Sequence, residues 1–69
     1  MLKKRSFSLS GHRTSVALEE EFWAIIDVEA ARANQSLAGY VSGIDRSRGE
    51  NPLASALRLA ALAAAKRAP

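Results

Sequence analysis

The sequence predicts a mainly α fold, with one N-terminal β-strand paired across a homodimer and followed by three helices. Three observations predict it. Residues 12–18 alternate with a period of two, the spacing becomes helical after Glu19, and 69 residues hold only one small domain. A lone strand in so short a chain needs a partner from outside it.

At this size folding buries only about 60% of the surface of the unfolded chain, so small domains usually add a disulfide, a metal or a second chain. The chain has no Cys, which excludes disulfides, thiolate ligands and Cys nucleophiles together. Its single His, His12, leaves a zinc site nothing but carboxylates without ligand spacing. Self-association is the remaining support. Ten Lys and Arg against seven Asp and Glu give a net charge of +3, unevenly placed. Lys3, Lys4, Arg5 and Arg13 precede any acid, and Glu19, Glu20 and Glu21 follow at once. A basic beginning with an acidic sequel suits a polyanion at one end of the molecule. No apolar run approaches the roughly 20 residues that span a bilayer. Ser6–Ser10 is no signal-peptide core, so a cytoplasmic, nucleoid-associated protein is expected.

Residues 1–10 form a basic, Ser-rich arm in which Phe7 and Leu9 alternate with Ser6, Ser8 and Ser10. The pattern allows a short strand or a flexible tail; an arm partly disordered without DNA is expected. Gly11 breaks the pattern and opens a core over 11–49, with a C-terminal helix over 50–69. In the strand, Thr14, Val16 and Leu18 share one face and Arg13, Ser15 and Ala17 the other. The β-branched face is the one to bury.

The first helix is placed at about 20–33, with its acids in the first turn, where they complement the helix dipole. Phe22, Ile25, Ile26 and Ala30 follow helical spacing with Trp23 beside them, and Asn34 is a left-handed stop. Ser36 caps a second helix whose Leu37, Tyr40, Val41 and Ile44 form a stripe, ending near Arg48–Gly49. Asn51–Pro52 starts a third helix over Leu53–Arg67. Leu53, Leu57, Ala60, Ala61 and Ala64 make its stripe, with Leu59 and Leu62 off it.

A lone strand leaves backbone donors and acceptors unpaired on both edges. Either the arm at Phe7 and Leu9 supplies a partner within the chain, or the strand pairs with its equivalent in a second copy. The second arrangement is the expectation. Two strands then pair antiparallel about a two-fold axis. Thr14, Val16 and Leu18 cover a dimer core that includes Phe22, Trp23, Ile26, Tyr40, Val41 and Ile44. Arg13, Ser15 and Ala17 face outward on a ribbon that fits the DNA major groove. Arg reaches guanine O6 and N7 in bidentate fashion, Ser donates or accepts, and a small apolar group meets a thymine methyl. Lys3, Lys4, Arg5 and His12 suit the phosphate backbone.

The stretch from Thr14 to Phe22, Thr-Ser-Val-Ala-Leu-Glu-Glu-Glu-Phe, resembles the strand-to-helix signature of ribbon-helix-helix proteins, the Arc and MetJ repressor superfamily. Gly11-His12-Arg13-Thr14-Ser15 with Leu18-Glu19, Glu21-Phe22-Trp23, Ile44-Asp45 and Ser55-Ala56-Leu57-Arg58 is similar to a bacterial subgroup of that family. The resemblance implies an intertwined dimer that reads bases through Arg13, Ser15 and Ala17. It also implies a phosphate held by backbone amides at Ser36 and Leu37, as helix N-termini allow. The third helix exceeds the minimal family fold.

The leading function is therefore sequence-specific binding of double-stranded DNA by a transcriptional regulator, a repressor, with no cofactor and with higher-order assembly on DNA open. The alternative is a protein-interaction module or antitoxin-like partner acting through the C-terminal helix. An enzyme is set aside for want of a nucleophile–base pair, a phosphate-cradling loop or metal-ligand spacing.

Overall fold

Ser10 and Gly11 reverse the chain, both with positive φ, 52° and 82°. A two-residue type I′ hairpin turn requires that sign at both central positions, and its twist matches that of the strands it joins. In this computed structural model, which describes residues 1–67, the turn connects β1 (Leu2–Leu9) to β2 (His12–Glu19). The strands are antiparallel, with Leu9 opposite His12 and Leu2 opposite Glu19. Three helices follow: α1 (Glu20–Arg32), α2 (Leu37–Ser47) and α3 (Leu53–Arg67). The last two residues of the expected 50–69 segment lie outside the described ones.

The expected order of ribbon and helices is present, but the ribbon is assembled differently. The strand expected over 12–18 is β2, and its partner is β1 of the same chain, formed by residues expected as a partly disordered arm. Burial of Phe7 and Leu9 explains this, since each keeps only 6% of its surface exposed. Trp23 adds an anchor, its Nε1–H donating to the Lys3 carbonyl at 2.8 Å. Pairing along one edge of each strand satisfies backbone groups that a free arm would leave to water.

The hairpin's inner face packs on the helices. Leu18, Ile26, Val41 and Leu57 are fully buried and Trp23 nearly so, with Val16 beside them. Each such aliphatic side chain contributes roughly 1.5–3 kcal/mol relative to exposure. Residues expected to form a dimer core thus lie within one chain's core. Phe22, Tyr40 and Ile44 pack against it partly buried, and Thr14 is half-buried.

The helix ends follow local chemistry. Asn34 (φ 58°) ends α1, with the Gln35 amide donating to the Ala30 carbonyl and the Asn34 amide to that of Ala31. These are the two bonds of a Schellman motif. Ser36 Oγ accepts the Gly39 amide at 3.0 Å, capping α2. The Ala56 amide bonds the Pro52 carbonyl, so helical bonding in α3 begins at the proline. Leu57, Ala61 and Ala64 are buried along α3, Leu53 and Ala60 are half-buried, and Leu59 and Leu62 face solvent. No helix among the described residues is long and apolar enough to cross a membrane.

Candidate nucleic-acid interface

Because a strand sends successive side chains to opposite faces, burying Phe7, Leu9, Val16 and Leu18 fixes what the ribbon shows to solvent. Its outer face carries Lys4, Ser6 and Ser8 from β1, opposite Ala17, Ser15 and Arg13 of β2 in that order. All are exposed except Ala17, which is half-buried. Lys4 and Arg13 occupy opposite corners, and between them the Oγ atoms of Ser6 and Ser15 lie 3.0 Å apart, one donating to the other.

Carboxylates are kept to the far end of this face. Glu19, opposite Leu2, accepts from Arg58 Nε at 3.1 Å. Its carboxyl is held below the ordinary glutamate range, first by a hydrogen bond with its own backbone and then by Arg58. The Arg58 guanidinium also lies 5.8 Å from the Phe22 ring. The middle of the ribbon is therefore free of negative charge.

The remaining expected phosphate-binding residues are dispersed. Arg5 belongs to the inner side of β1, where its two terminal nitrogens donate to Asp27 at 2.9 and 3.3 Å. Lys3 shares that side but is exposed. His12 is exposed beside the turn, at a shallow recess shared with Thr14, Asp45 and Arg48. Ser36 and Leu37 open α2, on a separate element. Ser36 Oγ is engaged by the Gly39 amide, while the amides of Leu37 and Ala38 fall in the first turn, where no intrahelical acceptor exists.

The structure brings Arg13, Ser15, Ala17 and Lys4 together on one surface; Lys3, Arg5 and His12 lie on the ribbon's other side. Ser6 and Ser8 were missed as site residues by sequence reasoning. The signal was available, since serines alternating with Phe7 and Leu9 mark the exposed half of a strand.

A family model described as a ribbon-helix-helix domain matches residues 2–65. No curated protein and no solved structure matches the chain.

Proposed function

The chain belongs to the ribbon-helix-helix family, whose members generally bind DNA as transcription regulators, and on that premise we propose that it binds double-stranded DNA sequence-specifically and acts as a repressor. The observation that carries this reading is a two-stranded outer face with Arg13, Ser15 and Ala17 exposed or half-exposed, whose one carboxylate, Glu19 beyond Ala17, is paired with Arg58. Strands about 5 Å apart enter a major groove about 12 Å wide. Arg13 then reads a guanine, Ser15 a neighbouring base edge and Ala17 a thymine methyl.

Lys4 reaches phosphate from the ribbon's corner, with Lys3 and His12 at its margins. Arg5, bound to Asp27, adds positive potential more than a direct contact. The amides at Ser36 and Leu37 clamp a further phosphate through the positive end of α2. A homodimer presents two such units to paired half-sites and represses by excluding other proteins from the operator. This reading needs no cofactor or catalytic chemistry and places the protein with the nucleoid in a bacterial cytoplasm.

Titration of labelled duplexes at several salt concentrations tests it. Affinity falls steeply with salt, because several phosphates are neutralised at once. Arg13→Ala relaxes base preference, whereas Lys3→Ala with Lys4→Ala weakens all sequences alike. A second reading has one observation in its favour: Leu59 (58% exposed) and Leu62 (48%) offer an apolar outer stripe on α3 to a protein partner. Binding to duplex that is absent or insensitive to salt turns the choice towards it.

A further inference from the structure

A hydroxyl pair that neither serine makes alone stands at the centre of the ribbon's outer face. We infer that Ser6 and Ser15 together read one adenine in the major groove, so that β1 contributes to specificity alongside β2. This rests on the groove-binding reading above and deepens it.

The chemistry follows from counting. Each hydroxyl carries one O–H and two lone pairs. With the Oγ atoms 3.0 Å apart, one O–H is engaged in the pair. The accepting serine keeps its own O–H free to donate, and the donating oxygen keeps lone pairs free to accept. The pair thus presents one donor and one acceptor side by side, and it inverts by exchanging which serine donates. Among the four bases, adenine alone shows an acceptor (N7) next to a donor (N6) on its major-groove edge. Guanine offers two acceptors, N7 and O6, which one free O–H cannot satisfy. A polar group left unpaired in a dry interface is what makes such a mismatch costly. The pair plays the part that an Asn or Gln amide takes when it bonds adenine at N6 and N7.

The surroundings favour close approach. Ser6 and Ser15 are directly opposed, flanked by Lys4 and Ala17 on one side and by Ser8 and Arg13 on the other. Two of those four neighbours are short, and the long ones stand at opposite corners. The ribbon's centre can descend towards the bases while Lys4 and Arg13 reach outward.

The test begins by recovering preferred duplexes from a randomised pool with the full chain. Each adenine of the recovered site is then replaced in turn by 7-deazaadenine, which lacks the N7 acceptor. At one position the wild-type chain should bind roughly fivefold or more weakly, within the range for loss of a good base contact. In Ser6→Ala that difference should shrink to within about twofold, and in Ser6→Thr, which keeps the hydroxyl, it should return. Far-UV circular dichroism of each variant checks that the hairpin is intact. Wild type indifferent to the analogue at every adenine, or Ser6→Ala as sensitive as wild type, overturns the adenine assignment. If Arg13→Ala still alters base preference in that event, groove reading itself survives. A wild-type chain that binds no duplex in a salt-dependent manner overturns both.

Discussion

The guanidinium of Arg5 lies 4.6 Å over the ring of Trp23. The same group pairs with Asp27 at 2.9 Å, while the Trp23 indole N–H holds the Lys3 carbonyl. The first strand is therefore fastened to α1 by cation, ring and backbone together. Arg5 and Asp27 keep 38% and 48% of their side-chain surface exposed, so the ion pair itself contributes little. With the cation–π contact, Arg5→Ala should cost roughly 1–2 kcal/mol of stability, read as a lower urea midpoint. Duplex affinity should fall less than for Lys4→Ala, whose stability should be unchanged. A larger loss of binding than of stability for Arg5→Ala would make it a direct DNA contact.

The turn should tolerate substitution by chemistry rather than by size. An added Cβ at Gly11 meets nothing within 4 Å, yet its φ of 82° suits few side chains. Gly11→Val should therefore cost about 1–3 kcal/mol through backbone strain alone. Gly11→Asn, whose side chain accepts this conformation, should cost well under half as much. Equal urea midpoints for the two variants would show that the turn does not hold this geometry in solution.

The helices were legible because their signals are local. Asn34 as a left-handed stop, Ser36 as a cap and Leu53–Arg67 as a third helix each depend on a few adjacent residues. The strand over 12–18 was legible by its alternation, and with it the outward set Arg13, Ser15 and Ala17. The first strand is less legible, for a physical reason. Its inner positions 3 and 5 are Lys and Arg, which break the apolar alternation begun by Phe7 and Leu9. What makes Arg5 acceptable there is Trp23 and Asp27, brought from 18 and 22 residues away by the fold. The nearer clue was Ser10–Gly11, a dipeptide compatible with a two-residue hairpin turn. Ser6 enters the site only with that turn, since a two-residue loop at Ser10–Gly11 sets Leu9 opposite His12 and so Ser6 opposite Ser15.

Acid should loosen the contact between the end of the ribbon and α3. The Glu19 carboxyl is held below its ordinary range by its backbone hydrogen bond and by Arg58. A depressed folded-state value stabilises the protein above the unfolded-state value, about 4.3 for glutamate, and that contribution is lost as pH falls through the folded value. Glu19→Gln should thus be less stable than wild type at neutral pH, with the gap closing as pH drops below about 4. Thermal unfolding across that range reads the difference. A gap that stays constant with pH would remove Glu19 from the acid response.

Strand pairing within one chain has a covalent consequence. Ser6 and Ser15 are cross-strand partners, and directly opposed Cβ atoms in a sheet lie about 4.5–5.5 Å apart, near the span of a disulfide. The chain contains no Cys, so Ser6→Cys with Ser15→Cys introduces the only two thiols. Under mild oxidation at low protein concentration the double variant should close an internal disulfide and run as a monomer on a non-reducing gel. Either single variant should yield at most a slow dimer. The internal bond should also raise the urea midpoint, because it shortens an already paired hairpin's unfolded ensemble. If β1 instead paired with a neighbouring molecule's β2, the same oxidation would give a covalent dimer even on dilution. The ribbon would then belong to the assembly, and the outer face would be built from two chains.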